Sequence, residues 1–410
     1  MESDNPQYNG TFSPVSIPPY QLTMRDFLKR EEPASWSWFS ELDKQKKVTD
    51  SVRVDLLKST YRLDRMEYAE LYASAQDILT QFALDIPFTI YQAQGNHETS
   101  AALYYLPGEA HIVFFGKTLD LLNHEELKAV MAHELSHYLL WQDQENELFI
   151  ADQLLNAMAN DPRAENAHLL SARRFQLFTE IYADRGALHI MKNKEIVVQA
   201  LVKIMTGLSS VSGATYLKQA EEIFATSSVI TEGISHPEAF IRARALALSE
   251  SNDMNFETEI ESMICGEMNL DELDLLNQNQ LATETQCLLL QITEPAWIAK
   301  NELFHNRLRL YANEEIETRV PPASSLADYK HKSVREYFVY LMLDFVALDN
   351  ELQDAVALHC YDLALKYGWD KLFLEKYLKE CKITKTQWNK TLKEKTKILQ
   401  DASQELEVKA

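Results

Sequence analysis

The pattern of hydrophobic and polar positions predicts a mostly helical chain with a few strands before its middle. An amphipathic pattern over residues 52–82 predicts one long helix, and helical spacing continues through most of the chain after residue 123. Between these regions, residues 87–91, 101–106 and 111–115 have the β-branched and aromatic content of strands. We therefore expect an α+β fold, mostly α-helical, with a small edge sheet and an all-α C-terminal region.

The clearest predicted helix begins after Asn123. Asn123 can cap its N-terminus, and Glu126, three residues further on, completes a motif close to a capping box. Apolar residues lie on more than one side of this helix, which indicates that it is largely buried. These residues are Leu127, Val130, Met131, Leu135 and Leu139.

This helix carries His133, Glu134 and His137 in the spacing His-Glu-x-x-His. Two histidines four residues apart lie about 40° apart around a helix axis, so both imidazole rings can reach one metal ion. Glu134 can then reach a water molecule on that ion without binding the ion itself. The pattern is typical of zinc peptidases, and the alternative is two core histidines that happen to lie four residues apart.

A third ligand for a catalytic zinc ion is predicted in the segment 178–186. Glu180 would complete a His/His/Glu set. Asp184, one turn further on, could accept a hydrogen bond from the outer ring nitrogen of His133 and hold its tautomer. Ala183 and Gly186 are small enough for two helices to approach closely. The alternative for Glu180 and Asp184 is an ordinary solvated helix face.

Three motifs in this order resemble the HtpX and CAAX-prenyl-protease family of gluzincin metallopeptidases. The first is residues 120–137, and the second is Glu180-x-x-Ala-Asp184. The third, His236-Pro237 followed by Arg242, is similar to the His-Pro…Arg element of that family. The resemblance covers roughly residues 60 to 250 and implies a zincin-like metallopeptidase domain.

The resemblance implies one zinc ion per chain, bound by His133, His137 and Glu180, with Glu134 as the general base. His236 would either stabilise an oxyanion or occupy the fourth zinc position, and the alternative is a surface histidine that only caps its turn. The strand over residues 111–115 would border the cleft and accept substrate backbone as an extra strand. Its residues are His111, Ile112, Val113, Phe114 and Phe115.

The setting of His236 predicts a short turn followed by a helix. Ser235 and Glu238 have the spacing of a capping box, so we expect a helix that begins at about Pro237. Arg242 lies on this helix, where it could pair with an acidic residue and hold the helix against the catalytic domain.

The net charge of −22 arises entirely from residues 1–330, which contain 27 Lys+Arg against 49 Asp+Glu. Such a surface repels nucleic acid and anionic lipid. No window of 18 residues is apolar enough to span a membrane. Residues 1–20 lack the basic start and apolar run of a signal peptide, and the four cysteines form no close metal-type pair. We therefore predict reduced thiols and a cytoplasmic protein.

Composition and loop signals predict four parts of the chain. They are an N-terminal arm (1–50), a zinc metallopeptidase domain (51–250), a helical connector (251–320) and a C-terminal helical domain (326–410) after a linker at 321–325. Trp36, Trp38 and Phe39 are expected to pack onto the catalytic domain rather than to form a binding site.

The C-terminal helices are predicted at residues 334–348, 351–367, 371–380 and 386–406. The turn between the first two, Asp349-Asn350-Glu351, resembles that of TerB-like helical domains. Asp349, Glu351 and Asp354 could bind a cation, and the alternative is a solvated turn.

These observations predict a zinc-dependent endopeptidase that acts on proteins or peptides, with protein quality control as its expected setting. The alternative is a metal-stabilised interaction protein, in which residues 251–410 bind a protein partner and the protease site is closed or vestigial. A third interpretation is the processing of prenylated proteins, and the absence of predicted membrane-spanning helices argues against it. An intact Glu134 favours the endopeptidase, because an inactive protein could lose this residue and still bind zinc.

Overall fold

The computed structural model describes residues 14–95, 97–227, 229–251, 255–311 and 326–409, with the backbone alone for residues 42–49 and 405–409. The chain divides into two compact units between Gly266 and Glu267, inside the segment that was predicted as a connector. The predicted linker at 321–325 and the first 13 residues of the predicted arm lie outside the described residues. The four-part division stays a prediction.

The first unit combines a small sheet with helices before and after it. Its strands are β1 (Thr60–Arg62), β2 (Phe88–Ala93), β3 (Ser100–Leu106) and β4 (Glu109–Phe115). Its helices are α1 (Pro19–Glu31), α2 (Pro33–Ser40), α3 (Leu42–Ser59), α4 (Ala69–Gln81), α5 (Thr118–Leu121), α6 (His124–Ala159), α7 (Asn166–Met191), α8 (Lys194–Thr206), α9 (Gly213–Thr226), α10 (Ala239–Glu250) and α11 (Phe256–Cys265).

The sheet has the strand order β1-β2-β4-β3. β1 pairs with β2 and β3 pairs with β4 in antiparallel directions, whereas β2 and β4 are parallel. Leu56 of α3 packs with Tyr91 and Val113 on one face. Side chains alternate along a strand, so Ile90 and Ile112 point to the other face, where both are fully buried. Among the described strands, β3 lies at the end of this order, so one of its edges pairs with no strand, and β3 packs against α6.

The predicted single helix over residues 52–82 is wrong. α3 ends at Ser59, and Thr60–Arg62 pairs with the end of β2 as a strand before α4 begins at Ala69. The amphipathic pattern is present on both helices, but the strand between them depends on a partner that is distant in the sequence.

The N-terminus of α6 has the predicted capping box. The Asn123 side chain accepts a hydrogen bond from the Glu126 N–H at 3.0 Å, and Glu126 accepts one from the Asn123 N–H at 2.8 Å. Glu126 is also paired with buried Lys203 at 2.8 Å, which ties the start of α6 to α8. Further along, α6 is interrupted at Asp143–Asn146, where the backbone of Gln144 is left-handed with φ 49°.

The helices α6 and α7 pack closely, as the small residues of α7 predict. A Cβ atom on Gly186 would lie 1.9 Å from the Ser136 hydroxyl oxygen, so no larger residue fits there without displacing α6. Ala183, one turn earlier, is fully buried. This close approach brings the motif residues of both helices together.

The second unit is helical throughout its described residues. Its helices are α12 (Leu275–Ile292), α13 (Ala296–Ala299), α14 (Glu302–Arg309), α15 (Lys332–Val346), α16 (Gln353–Lys366), α17 (Asp370–Glu380), α18 (Lys385–Lys393) and α19 (Lys395–Lys409), with a 3₁₀ turn at Leu326–Asp328. One core joins Leu288 and Trp297 to Phe338 and Trp388, so residues before and after the predicted linker share it. The single helix predicted over 386–406 is two helices.

In the turn that resembles TerB-like domains, the Asp349 carboxylate accepts hydrogen bonds from the backbone N–H groups of Glu351 and Leu352. This capping accounts for Asp349 without a cation. In the part of the chain that the structure describes, no helix is both long and apolar enough to cross a membrane.

Candidate metal centre

The close packing of α6 and α7 places His133, His137 and Glu180 in one cluster. Their ligand atoms all lie within 4.8 Å of one another. Nε2 of His133 lies 3.4 Å from Oε2 of Glu180, and Nε2 of His137 lies 3.7 Å from Oε1. All three side chains are at most slightly exposed. The two helices thus aim two imidazole nitrogens and one carboxylate at a single point.

The spacing of these three groups fits a zinc ion. Zn–N and Zn–O bonds of about 2.0–2.1 Å at tetrahedral angles require ligand atoms roughly 3.3 Å apart, close to the distances of Glu180 from both imidazoles. In addition, Oε2 of Glu180 is buried and has no hydrogen-bond partner among the described residues. Buried carboxylate oxygens are normally satisfied, and a metal ion would satisfy this one.

The electrostatics of the cluster also suit a cation. Burial opposes the charge of Glu180, but the neighbouring charged His133 outweighs it and holds the pKa of this carboxyl well below its usual range. Burial lowers the pKa of His137 to about 3, which keeps the ring neutral. A neutral imidazole and an ionised carboxylate are the forms that bind metals.

His133 is held by a partner behind the cluster. Its Nδ1 lies 3.0 Å from Oδ1 of Asp184, the contact that the sequence predicts. Burial opposes protonation of His133, but the hydrogen bond to Asp184 and the charge of Glu180 outweigh it and raise its pKa to about 10. Because a metal ion needs the bare Nε2, its binding would release a proton from this ring.

Arg242 of α10 pairs with the same aspartate. Its Nε and Nη2 donate to the two oxygens of Asp184 at 2.7 and 2.6 Å, and all of these groups are buried. Burial opposes the charge of Asp184, but Arg242 outweighs it and lowers the pKa of the carboxyl to about 2. The predicted anchoring of this helix is therefore present, and Arg242 supports His133 through Asp184.

Glu134 lies beside the cluster with its side chain buried. The backbone amide of Leu103 on β3 stabilises the charge of the Glu134 carboxylate. Burial raises the pKa of Glu134 to about 7, against the opposing charge of His133. A carboxyl group with a pKa near neutral can both accept and return a proton at physiological pH.

His236 reaches the cluster from the turn before α10. Its Nε2 lies 3.5 Å from Oε2 of Glu180, while 56% of its side chain is exposed. The predicted capping box at Ser235 is wrong, because α10 begins at Ala239 and Ser235 instead bonds to Nδ1 of His236 at 2.9 Å. The Glu238 carboxylate accepts from Thr231 and from the N–H of Glu232, which shapes the turn without any cap from Ser235.

The strand predicted to bind substrate is not the one beside the metal centre. Residues 111–115 belong to β4, which is hydrogen-bonded to β2 on one side and to β3 on the other. With both edges occupied, His111, Ile112, Val113, Phe114 and Phe115 cannot accept another strand, so this prediction is wrong. His111 is buried, with Nδ1 3.2 Å from the Tyr91 hydroxyl. The free edge that faces Glu134 is that of β3.

A cavity of about 370 Å³ opens onto the cluster. Ser100 and Ala101 of β3, Val130, Ile204 and Pro237 are among its lining residues, together with His133, Glu134 and His236. The sequence motifs did not reveal the part played by β3. Its only signal was the alternation of a strand shortly before the metal-binding helix.

A helix with the motif His-Glu-x-x-His, paired with a second helix that supplies a glutamate and placed beside a small sheet, defines the zincin class of metallopeptidase domains. Residues 69–250 match the model of Peptidase family M48, so the chain contains a domain of this family. The resemblance inferred from the motifs is thereby confirmed.

A curated relative supports the same assignment. The chain is 29% identical over 153 residues to the plastoglobule-localized metallopeptidase 48, chloroplastic, of Arabidopsis thaliana. The aligned part covers 33% of this chain and 44% of that relative, so the chain spans less than half of the relative's length. No solved structure matches the chain.

Proposed function

We propose that the chain is a zinc-dependent endopeptidase that hydrolyses peptide bonds within proteins or peptides. The observation that carries the proposal is the position of Glu134. This carboxyl lies next to the three converging ligands, and the backbone amide of Leu103 on the edge strand β3 stabilises its charge. The M48 domain over residues 69–250 supports the same activity.

His133, His137 and Glu180 are the residues that would hold the metal. Zinc bound by them supplies a Lewis acid that acidifies water and polarises a carbonyl group. Glu134 takes the proton from the attacking water and returns it to the leaving amine. Its pKa of about 7 suits both steps, because neither the proton uptake nor the proton return is strongly uphill.

Substrate binding is assigned to β3 rather than to β4. An extended peptide can pair with the free edge of β3 and so run past Glu134. His236 faces the same cavity and is positioned to donate a hydrogen bond to an oxyanion. Arg242 and Asp184 orient His133 and take no part in proton transfer.

The competing hypothesis is a closed or vestigial site in an interaction protein whose partner binds residues 251–410. The cavity of about 370 Å³ that includes His133 and Glu134 among its lining residues favours a working site. The intact Glu134 favours it as well.

The cysteines and the net charge indicate the compartment and the class of partner. Cys287 and Cys360 are buried thiols that form no disulfide, as expected in a reducing compartment such as the cytoplasm. The acidic charge supports a protein or peptide partner over nucleic acid. A role in protein quality control is consistent with an enzyme that cleaves unfolded chains.

The proposal is tested with the purified full-length chain and an unfolded protein substrate such as casein. We expect cleavage that disappears on treatment with a chelator and returns when one equivalent of zinc is added. Internal fragments identified by mass spectrometry would establish endopeptidase action, whereas products shortened only from their ends would contradict it.

A further inference from the structure

A second cavity, of about 390 Å³, lies between α2, β3 and the part of α6 that follows His137. Trp38 and Phe39 of α2 form one wall, and Trp141 and Phe149 form another. Trp38 and Phe39 lie before the M48 domain, so this chain builds the cavity partly from its own N-terminal helices. Trp38 was predicted to pack onto the catalytic domain, but 51% of its surface is exposed.

The walls of this cavity are aromatic and mutually supported. The Trp141 and Phe149 rings lie 6.0 Å apart, and Tyr105 of β3 contacts both, at 5.7 and 4.7 Å. Trp38 and Phe39 meet edge to face at 4.7 Å. Such walls accommodate the aliphatic part of a long side chain, and their faces attract a cation.

Asp152 places a carboxyl group in this aromatic cavity. The side-chain amides of Asn156 and Gln153 both donate to Oδ2, at 3.1 and 3.5 Å. Oδ1 has no hydrogen-bond partner, and no cation pairs with Asp152, among the side chains that the structure describes. Burial raises the pKa of this carboxyl to about 6, and the hydrogen bonds from Gln153 and Asn156 offset the rise only in part.

Two residues that line this cavity also contact groups of the metal centre. Leu103 lines it, and the backbone amide of Leu103 also stabilises the Glu134 carboxylate. The Trp141 ring stacks on His137 with centroids 5.4 Å apart. Nε1 of Trp141 is buried and has no acceptor in the described part of the chain, so this wall offers a hydrogen bond to an incoming group. A peptide paired with β3 would therefore present a side chain to this cavity.

We propose that this cavity binds a lysine or arginine side chain of the substrate, with the charged end at Asp152 and the aliphatic part between the aromatic walls. The proposal rests on the proposed peptidase function for the identity of the ligand as a substrate. Asp152 is then a specificity-determining residue. The charge of the surrounding chain is complementary, because residues 1–330 carry 49 acidic against 27 basic residues. A large uncharged side chain is the competing occupant.

Binding without turnover tests the cavity directly. The zinc-loaded Glu134→Gln protein is titrated by calorimetry with extended peptides that differ at one position, which is lysine, arginine, norleucine or citrulline. We expect the lysine and arginine peptides to bind at least about tenfold more tightly, since a charge pair in a partly desolvated cavity has this magnitude or more.

The second substitution in this background is Asp152→Asn, which keeps the shape of the side chain and removes its charge. It should abolish the preference for lysine and arginine. Asp143→Asn is the matched control. The pKa of Asp143 is also raised by burial, it lies nearby on α6, and it does not line the cavity. This control should keep the full preference. Equal or tighter binding of the norleucine peptide, no binding of the basic peptides, or a preference that survives Asp152→Asn would overturn the proposal.

Cleavage of a random peptide library by the protein with Glu134 intact tests the cavity assignment and the peptidase assignment independently. Basic residues should be enriched at one fixed distance from the cleaved bond, and Asp152→Asn should remove the enrichment. Cleavage without that enrichment overturns the cavity assignment and leaves the peptidase standing. A basic preference in binding without any cleavage sinks the peptidase and leaves the cavity standing.

Discussion

The two cavities along β3 differ in how the chain builds them. The cavity at the metal centre takes its chemical groups from three short motifs on α6, α7 and the turn before α10. The aromatic cavity takes its groups from α2, β3 and the region around the interruption of α6, with no motif in any of them. Reaction chemistry depends here on local helical spacing, whereas side-chain recognition depends on tertiary packing.

The polar groups of the two cavities differ in the same way. Asp184 is paired with His133 and Arg242, so its charge is offset within the protein. Asp152 has only neutral amide donors among its described neighbours. The fold supplies the partners of Asp184, and under our proposal the substrate supplies the charged partner of Asp152.

The largest expected effect is that of Glu134→Gln on turnover. The substitution is nearly isosteric and removes the base, so kcat should fall about 10²–10⁴-fold. Peptide affinity at the aromatic cavity should stay the same, because Glu134 does not line it. Initial rates on a fluorogenic peptide measure the first effect, and calorimetry measures the second. Near-normal turnover by this variant would remove Glu134 from the mechanism.

His236→Ala should lower kcat by about 10²–10³, the effect of losing one oxyanion donor. His236 lies near Glu180. Among the described residues, however, the group of possible metal ligands comprises only His133, His137 and Glu180. This favours a role for His236 in binding the substrate over a role in binding the metal. His305→Ala, a change of an exposed histidine in the second unit, serves as the control. A rise in activity would show instead that His236 blocks the fourth zinc position.

Asp184→Ala should weaken zinc affinity roughly 10–100-fold, because His133 loses the partner that orients it. It also leaves buried Arg242 without its charge partner, so the free energy of unfolding should fall by about 3–5 kcal/mol. Chelator competition and urea unfolding measure the two effects. Asp161→Ala, which removes an exposed carboxylate paired with Arg163, should change neither. Unchanged zinc affinity in Asp184→Ala would show that the hydrogen bond to His133 is dispensable.

Trp38→Ala should have the smallest effect, confined to the aromatic cavity. Loss of one aromatic wall should weaken binding of a lysine-containing peptide roughly 2–10-fold. Zinc affinity should be unchanged, because Trp38 lies outside the cavity at the metal centre. Calorimetry with the lysine peptide measures the effect. A matching loss of zinc would mean that α2 supports the whole site and that the two cavities are not separable.

The features predicted best from the sequence are those that depend on residues within a single helix or at its N-terminus. The capping box of Asn123 and Glu126 and the close packing at Gly186 are both present. The sequence-based prediction fails where an element's structure depends on pairing with a strand that is distant in the sequence. The strand order leaves β3, and not residues 111–115, at the edge of the sheet. Because Thr60–Arg62 pairs with β2 as a strand, the helix predicted over residues 52–82 is interrupted there.

The aromatic cavity could not be predicted for the same reason. Trp38, Leu103 and Asp152 are separated by long stretches of chain, and nothing in their local sequence links them. Trp141 offered the one local signal, since it lies four residues after His137 on the same helix face.

The most direct test of the metal centre is the zinc content of three proteins purified in the same way and dialysed against a weak chelator. The intact chain and Glu134→Gln should each retain about one zinc ion, and His137→Ala should retain almost none. X-ray absorption at the zinc edge should show two imidazole ligands in the intact chain. Stoichiometric, tightly held zinc in His137→Ala would contradict the assignment of His133, His137 and Glu180 as the ligands.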